Sequence, residues 1–575
     1  MAQSALIEER EGKSPMFKNS GPTKTLSRFT AQETLFSPRA SRLSLMQLKH
    51  ENSEFRKLTV NVWRNHAFEP LISLMEPYSN YGGWQPVSRL SGYDDTLMFA
   101  DKHTADAELL WLDSSRLQVK TSFDDWVQWL GGRLRVLREA STAPIVLATW
   151  SEGSKGAESL QGLTDSLPAV YFADLGAVCA EAGVSLLDAR SATLAGTPVS
   201  NAAQLIVARE LACRWLPAAL FPPVKAVVLD LDNTLHSGVL GEDGIQGVRL
   251  TPGHTEFQRY IKSLQQRGIF LALVSRNERA DVEALFAQRQ DYPLRWEDFS
   301  AIEVSWGDKA AAVERIAKTL RIAPDAMLFV DDNPGELASI AMQLPHMHTI
   351  YAHQNASLTQ QVVHFYPGLW RWKVGSDDTK RIQDMKANAE RETLVGRVTD
   401  PAEYFRSLQV TLVYRQDPME QLSRLADLCN KTNQFNLALR RFNQAEVAER
   451  LSRSDTCVAS VQLTDCLSDS GIIAVIVVER HDEQLVVEEL CVSCRAMGRQ
   501  LEDTIILLAL RDMPIFAGCR EVAFRVQHGP RNQPALDWLA HLLGLSEAPA
   551  PGLYSLPVQQ LSGFAAAEGV TLINE

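Results

Sequence analysis

The sequence predicts a multidomain α/β protein. Its 575 residues are enough for about three or four domains of ordinary size. Through the first two thirds of the chain, apolar runs of strand length alternate with amphipathic stretches, which is typical of parallel sheets covered by helices. The last third contains β-rich runs separated by helix-like stretches, which favours a mixed α+β domain.

The composition favours a globular protein and argues against several classes. Hydrophobic residues make up 45% of the chain and charged residues 22%, which is ordinary. The net charge of −13 argues against a general basic surface for nucleic acid. No apolar run reaches the roughly 18 residues of a membrane-spanning helix, and no signal segment or disulfide framework is expected. We therefore expect a cytoplasmic protein that binds neither nucleic acid nor membrane.

The chain is expected to begin with an extension and an α/β domain. Residues 1–45 are polar and rich in Ser, Lys and Glu, so we expect them to be mobile and disordered. Residues 46–221 form the first expected domain, with candidate helices over 122–140 and 201–216. Its candidate strands are ELLWLDS, APIVLATW, AVYFAD and VSLLDA. The pair Pro222-Pro223 cannot continue the preceding helix and marks a boundary.

A second α/β domain is expected over residues 222–372. It contains three apolar runs, KAVVLDLD, QRGIFLALVSRN and DAMLFVDDN, and each ends in polar residues. Those polar residues are Asp230 and Asp232, Ser275 and Asn277, and Asp331 and Asp332. Because the carboxyl ends of parallel strands line one edge of a sheet, the three sets should converge there.

Asp230 and Asp232 form a pair suited to phosphoryl transfer. They flank Leu231, so at the end of a strand both side chains point to one face. Asp230 is the expected nucleophile, which would attack phosphorus to form an aspartyl-phosphate. Asp232 would protonate the leaving group and then activate water. Thr234 is expected to fix the turn through a bond from its hydroxyl to the backbone.

A carboxylate that attacks a phosphate needs a hard cation to relieve the repulsion, which predicts Mg²⁺ as cofactor. Asp331 is the expected direct ligand, Asp332 a direct or water-mediated one, and Asp230 and Asp232 complete the set. The expected phosphate-binding residues are Ser275, Arg276, Asn277, Lys309 and Thr234. Each motif alone has an ordinary structural explanation, such as a turn or a solvated helix end. The four motifs in this order favour a phosphoryl-transfer site: strand–DxDxT, strand–Ser, Lys and strand–DD.

The remaining residues, 373–575, are expected to form a connector helix, DDTKRIQDMKANAERETL, and then the mixed α+β domain. The helix-like stretches of that domain are MEQLSRLADLCNKT and LEDTIILLALRDM. Its strand-like runs are VTLVYR, CVASVQLTD, GIIAVIVVER, QLVVEELCVS and EVAFRVQ.

The ordered motifs resemble the four-motif signature of the haloacid dehalogenase (HAD) superfamily, which implies a Rossmann-like core. DLDNTLHSGVLGEDG, LVSRNERADVEALF, WGDKAAAVERI and LFVDDNPGE look like its FkbH-like branch, subfamily IIIC. In that branch the segment after the nucleophile, called the flap, typically reads DNTLWGGV. This chain has His236 and Ser237 in place of Trp and Gly. CNKTNQFNLALRR and SCRAMGRQLED resemble the branch's GNAT-like acyltransferase domain. RNHAFEPL, SGYDDTL and LAGTPVS resemble its SGNH-hydrolase-like domain.

The resemblance implies a glyceryl transferase and phosphatase of polyketide biosynthesis. Such a protein takes 1,3-bisphosphoglycerate, a phosphorylated three-carbon acyl substrate, and loads the glyceryl unit onto the phosphopantetheine thiol of an acyl carrier protein. It also implies a cysteine relay. Some relatives have Cys between the motif aspartates, where this chain has Leu231, so Cys494 is the substitute candidate. A buried strand-end thiol is the alternative for Cys494.

The segment RAMGRQ partly resembles the GNAT loop that cradles a pyrophosphate, with Gln500 in place of the final Gly. The expected phosphopantetheine or acyl contacts are Arg495, Gly498, Arg499, Asn433, Gln434 and Asn436. Surface arginines and a helix cap are the alternatives. The SGNH-like domain has neither GDS after its first strand nor DxxH near its end, so we interpret it as a non-catalytic scaffold.

Two other functions stay open. A phosphatase of a small phosphorylated metabolite would need no acyl transfer, and Leu231 favours it. A non-catalytic subunit that docks a carrier protein is opposed by the intact set of acids.

Overall fold

The computed structural model describes residues 22–38, 40–48, 55–93, 97–99, 103–117, 122–151, 153–395 and 400–575. Contacts within the chain divide it into two compact units. We call Pro15–Val374 the N-terminal unit and Gly375–Glu575 the C-terminal unit. In the described part of the chain, no helix combines the length and the apolar character that crossing a bilayer requires.

The N-terminal unit begins with a five-stranded parallel sheet in the order β2-β1-β3-β4-β5. Its strands are β1 (Arg56–Arg64), β2 (Trp84–Leu90), β3 (Ala107–Trp111), β4 (Ile145–Thr149) and β5 (Val170–Asp174). The helices that precede or cover it are α1 (Pro22–Phe36), α2 (Arg42–Met46), α3 (Glu69–Tyr81), α4 (Ser114–Leu117), α5 (Phe123–Ala140), α6 (Ser154–Asp165), α7 (Leu175–Glu181), α8 (Ala189–Ala195), α9 (Asn201–Glu210) and α10 (Leu216–Leu220). A π-helical turn, Leu211–Trp215, joins the last two helices.

Two expectations about this region are wrong. The predicted extension over residues 1–45 contains α1 and α2, and Leu35, Phe36 and Leu45 are fully buried in the core. The average composition of this segment is polar, so it gave no sign of the apolar face that these side chains form. Residues 1–21 of the predicted extension lie outside the described residues. VSLLDA is not a strand either, since Leu187 makes only one isolated bridge before Asp188 caps α8.

A second parallel sheet, in the order β10-β9-β6-β7-β8, completes the N-terminal unit. Its strands are β6 (Ala226–Leu229), β7 (Phe270–Ser275), β8 (Ala301–Val304), β9 (Met327–Asp331) and β10 (His348–Tyr351). Its helices are α11 (Leu240–Gly247), α12 (Pro252–Gln266), α13 (Arg279–Gln288), α14 (Lys309–Leu320), α15 (Pro334–Gln343) and α16 (Ala356–His364), with short 3-10 turns over Trp296–Asp298 and Pro324–Ala326.

The order of the second sheet positions the candidate site. Strand β6 lies between β7 and β9, so the three apolar runs predicted as strands are adjacent and parallel. The predicted convergence of their polar carboxyl ends is therefore confirmed. All residues of these three strands are buried, because helices cover both faces of a parallel sheet. One cluster of buried apolar side chains extends from the first sheet into the second.

The C-terminal unit is built on a seven-stranded mixed sheet in the order β16-β15-β14-β13-β12-β11-β17, as the β-rich pattern predicts. Its strands are β11 (Thr411–Gln416), β12 (Thr456–Thr464), β13 (Asp469–His481), β14 (Gln484–Val492), β15 (Glu521–Val526), β16 (Gly552–Pro557) and β17 (Thr571–Asn574). Its helices are α17 (Ser376–Val395), α18 (Pro401–Leu408), α19 (Leu422–Lys431), α20 (Gln444–Ser452), α21 (Glu502–Arg511), α22 (Gln533–Leu543) and α23 (Val558–Ser562), with short 3-10 turns over Met419–Gln421 and Pro514–Phe516.

Strands β14 and β15 pair in parallel only over Gln484–Val487 and Glu521–Phe524. Beyond that point the segment Phe435–Leu437 lies between them. The Leu437 amide donates to Leu490 O at 3.2 Å, and the Gln527 amide donates to Leu437 O at 2.9 Å. The chain itself therefore fills the gap where the two strands separate.

Candidate active site

Asp230 lies directly after β6, at the carboxyl edge of the second sheet. Its amide donates to Val330 O at 2.9 Å, which holds the end of β6 beside β9. Leu231 is fully buried in the core, and the next residues turn back. Asn233 has a positive φ of 54°, a conformation that Asn tolerates better than most residues. Its Oδ1 accepts from the Gly238 amide at 2.9 Å and closes the loop.

A compact group of three carboxylates forms the centre of the site. Each of Asp230, Asp331 and Asp332 offers one oxygen, and these atoms lie within 4.8 Å of one another. Lys309, the first residue of α14, donates to Asp230 Oδ1 and to Asp331 Oδ2, both at 2.6 Å. The predicted association of the three motifs is therefore present in atomic detail.

This group contains three carboxylates but only one ammonium, that of Lys309. Burial and the nearby Asp331 carboxylate raise the pKa of Asp230 well above its usual range, although Lys309 opposes the shift. The same two causes raise the pKa of Asp332 to about 6. Burial disfavours the Lys309 ammonium, but Asp230 and Asp331 outweigh it and raise its pKa. Three hard oxygen donors facing one ammonium make a donor set that fits a small divalent cation.

Asp232 does not join this group through its carboxylate, and its predicted role as a metal ligand does not fit. Its Oδ1 accepts from the Leu240 amide at 2.8 Å and from His236 Nε2 at 3.2 Å. Its Oδ2 accepts from Asn277 Nδ2 at 2.7 Å. Although burial opposes it, the hydrogen bonds from His236, Leu240 and Asn277 lower the pKa of Asp232. These donors fix the second acid beside the first.

The five expected phosphate-binding residues have different surroundings. Lys309 lies at the acid group. Asn277 Nδ2 links Ser275 to Asp232, since it donates to the Ser275 hydroxyl at 2.9 Å and to Asp232 Oδ2. Arg276 instead forms an ion pair with Glu336 at 2.8 Å, so its guanidinium is already neutralised. The expected bond of Thr234 is wrong as well. Its hydroxyl is buried and has no hydrogen-bond partner in the described part of the chain.

Sequence reasoning missed the roles of His236 and Glu336. His236 is fully buried and contacts Asp232, yet in the sequence it stood out only as a departure from the family's flap. The spacing could have indicated this contact, since a histidine four residues after Asp232 can reach its carboxylate across a tight loop. Glu336 lies in the first turn of α15, and nothing in the sequence links it to Arg276.

The two arginines predicted to contact phosphopantetheine in the C-terminal unit are both buried. Arg499 pairs with Asp465 Oδ2 and Asp384 Oδ1, both at 3.2 Å, and is only 8% exposed. Arg495 is 5% exposed, and burial together with the nearby Arg424 lowers its pKa to about 10. Arg499 therefore belongs to a buried ion-pair network, and the phosphopantetheine contacts of Arg495, Gly498 and Arg499 stay predictions.

The loop after β14 also differs from a free anion cradle. The Gly498 amide donates to Glu502 Oε1 at 3.1 Å, so this donor is occupied. Gln500 has a positive φ of 58°, a conformation that residues with a side chain adopt rarely. Cys494 is half-buried, and its neighbour Cys491 is fully buried.

The polar run before α20 mainly stabilises its own loop. Asn436 is fully buried, and its Oδ1 accepts from the Leu439 amide at 2.7 Å. Asn433 Oδ1 accepts from Arg441 Nη2 at 2.6 Å. Gln434 is half-buried. Asn436 Nδ2 is buried and has no hydrogen-bond partner among the described residues, and the channel role of Asn433, Gln434 and Asn436 stays a prediction.

No family model matches the sequence, and no curated protein matches it. Several solved structures do. One is the N-terminal part of a Bacteroides fragilis protein containing a phosphatase domain complexed with Mg, at 18% identity and a TM-score of 0.46, covering 58% of this chain and 99% of that chain. A Streptomyces avermitilis protein assigned to the HAD hydrolases shows 16% identity and a TM-score of 0.20, covering 26% of this chain and 95% of that chain. A Xanthomonas campestris protein shows 16% identity and a TM-score of 0.18, covering 31% of this chain and 90% of that chain. All three TM-scores lie below 0.5.

Proposed function

We propose that this protein is a Mg²⁺-dependent phosphoryl-transfer enzyme of the HAD type, with Asp230 as the nucleophile. One observation carries the proposal. Lys309 bridges Asp230 and Asp331 at 2.6 Å each, and Asp332 lies in the same group at the carboxyl edge of a parallel sheet. This edge is where open α/β sheets bind their ligands.

The residues divide the chemistry between them. Asp230 attacks phosphorus, the bond from phosphorus to the leaving oxygen breaks as Asp232 gives that oxygen a proton, and the phosphoryl group becomes an aspartyl-phosphate. Lys309 faces the phosphoryl oxygens with a fixed positive charge. Asp232, held by His236, Leu240 and Asn277, then takes a proton from the water that hydrolyses the intermediate. Mg²⁺, when held by Asp230, Asp331 and Asp332, supplies further charge neutralisation.

A direct experiment tests this proposal. The full chain is incubated with Mg²⁺ and acetyl phosphate as a generic donor, quenched in acid, and digested for mass spectrometry. We expect one phosphoryl group on the peptide that contains Asp230, and none on the same peptide of Asp230→Asn. A phosphoryl group on any other residue would overturn the assignment.

We further propose that the substrate is a phosphorylated three-carbon acyl donor such as 1,3-bisphosphoglycerate, and that the glyceryl unit passes to an acyl carrier protein. The Cys494 thiolate attacks the C1 carbonyl carbon, the bond from that carbon to the phosphate oxygen breaks, and inorganic phosphate leaves; the carrier thiol then displaces Cys494 to give the carrier thioester. Asp230 removes the phosphate at C3, because attack on the C1 phosphate would leave an unactivated carboxylate. The support is the resemblance of the flap, the Lys309 segment and the SCRAMGRQLED segment to the FkbH-like branch. In this proposal the first sheet is an SGNH-like scaffold and the C-terminal unit is GNAT-like. Cys494 is the relay candidate because it is half-buried, whereas Leu231 supplies no thiol.

The narrower proposal has its own experiment. The protein, Mg²⁺, 1,3-bisphosphoglycerate and a holo carrier protein are combined, and the carrier is weighed by mass spectrometry. A glyceryl adduct is expected, and Cys494→Ser should abolish it while phosphate release continues. Release of phosphate with no adduct would leave a plain phosphatase.

A further inference from the structure

Trp306 is an exposed aromatic side chain at the carboxyl edge of the second sheet. It lies in the short loop between β8 and α14 and is 67% exposed. Tryptophan is highly buried on average, because its large ring costs free energy in water. Open α/β sheets bind their ligands at this edge, so the ring is available to a ligand of the acid group of Asp230, Asp331 and Asp332.

Both ends of this loop are fixed beside the acid group. The amide of Ser305, which precedes Trp306, donates to Ser275 O at 3.0 Å. The loop therefore leaves β8 next to the end of β7. At its other end, Lys309 begins α14 and donates to two of the three carboxylates. Trp306 lies between these two anchors, two residues from the end of β8 and three residues before Lys309.

The indole ring is held in place by Glu278. Trp306 Nε1 donates to Glu278 Oε1 at 2.8 Å. Glu278 is the N-cap residue of α13, yet its side chain makes no capping bond there, so its carboxylate is free to accept from the indole. Glu278 directly follows Asn277, which donates to Asp232 Oδ2. The ring is therefore tethered by its polar edge to a neighbour of the acids, while its apolar faces stay open to solvent.

The depth of the acid group decides which part of a substrate meets the ring. Asp230 and Lys309 are each only 5% exposed. A phosphate held there has its organic part directed outward, to the rim on which Trp306 lies. The face of an indole ring attracts other rings and apolar groups, and a ring already fixed by a hydrogen bond loses little conformational freedom on binding.

We propose that Trp306 is a specificity-determining residue of the acid group, and that its ring packs against the organic part of a phosphate ester whose phosphate faces Lys309. The substrates favoured are those whose organic part presents an aromatic or other apolar face. This inference rests on the phosphoryl-transfer function proposed above, but it holds whether or not an acyl group is transferred. Trp306 makes and breaks no bond, so its loss affects the binding of substrate and not the chemical step.

The kinetic test compares two donors, phenyl phosphate, which carries a ring, and acetyl phosphate, which does not. Trp306→Ala should raise KM for phenyl phosphate by about five- to tenfold, the scale of one aromatic contact. It should leave kcat unchanged, together with both constants for acetyl phosphate. Trp306→Phe keeps a ring and should lose less. Trp129→Ala is the matched control, since Trp129 is a 44% exposed tryptophan on α5, and it should behave as the wild type does.

A binding test separates this contact from the proposed reaction. Benzylphosphonate has a methylene group in place of the ester oxygen of phenyl phosphate and cannot be hydrolysed, and methylphosphonate lacks the ring. Calorimetry on the full chain with Mg²⁺ should show that Trp306→Ala weakens benzylphosphonate by the same factor and leaves methylphosphonate unchanged.

The inference is overturned if neither phosphonate binds the wild type at millimolar concentration. It is overturned too if Trp306→Ala changes the affinity for both phosphonates equally, or changes neither. Binding of benzylphosphonate that depends on Trp306, in a wild-type chain that hydrolyses neither donor, would support the contact and contradict the proposed reaction.

Discussion

Asn277 donates a hydrogen bond from Nδ2 to Asp232 Oδ2 at 2.7 Å. The same amide group donates to Ser275 Oγ at 2.9 Å. The orientation of the second acid after β6 therefore depends on a side chain that follows β7, 45 positions later in the sequence. This link joins two of the three strand ends that form the candidate active site.

We predict that Asn277→Ala lowers the turnover of an acyl phosphate by about 10–100-fold, the scale for a residue that orients a functional ligand. Asp232 would keep its bonds from Leu240 and His236 but lose the donor that fixes its other oxygen. Phosphate release under saturating substrate and Mg²⁺ measures the effect. Arg279→Ala is the control on the neighbouring helix, since Arg279 is exposed and pairs with Glu283. Equal losses in both variants would indicate that the loop, not the bond, is responsible.

The position of the acids could be predicted from the sequence, because each acid lies within two or three residues of an apolar run. Apolar runs that alternate with helical stretches predict a parallel sheet, and the residues that follow its strands meet at the carboxyl edge. The ion-pair partners of Arg276 and Arg499 could not be predicted from the sequence. Arg276 meets Glu336, and Arg499 meets Asp384, 115 positions earlier. Such pairs depend on how helices pack on sheets, and many acidic residues along the chain are equally plausible partners. Helix α1 could not be predicted for the same reason, because its buried face is defined by the surface on which it packs and not by its own composition.

We predict that Lys309→Met reduces turnover by at least about 100-fold while Mg²⁺ binding survives or tightens. The loss of turnover follows because the positive charge facing the phosphoryl group is removed. The metal is retained because the ammonium no longer competes for Asp230 Oδ1 and Asp331 Oδ2. Calorimetric titration with Mg²⁺ and single-turnover phosphate release measure the two effects. A variant that neither binds Mg²⁺ nor turns over would mean that Lys309 organises the carboxylates.

We predict that Glu489→Gln becomes more stable relative to the wild type as the pH rises. Burial raises the pKa of Glu489 to about 7 from an ordinary 4.5, although Arg441 opposes the shift. The folded chain therefore binds a proton that the unfolded chain releases. The stability this gives is present below pH 4.5 and is lost as the pH rises to about 7. The difference amounts to about 3 kcal/mol, at 1.36 kcal/mol for each pH unit.

Thermal unfolding midpoints at pH 5 and pH 8 test this dependence. The wild type should lose more stability over the interval than Glu489→Gln does. Glu420→Gln is the control, since Glu420 is exposed in the same unit and its variant should follow the wild type. Parallel curves for all three proteins would show that Glu489 is ionised in the folded chain at neutral pH.

We predict that Arg499→Met destabilises the C-terminal unit by about 3–5 kcal/mol, the cost of removing one partner from a buried ion-pair network. Asp384 and Asp465 would lose one of the two arginines that neutralise them and keep only Arg391. Arg520→Met is the matched control, because Arg520 is 76% exposed where it pairs with Glu483, and surface pairs contribute about 0–1 kcal/mol. Thermal unfolding should separate the two variants clearly. If Arg499→Met unfolds like Arg520→Met but loses affinity for a holo carrier protein, then Arg499 binds the phosphopantetheine arm and the buried network has no structural role.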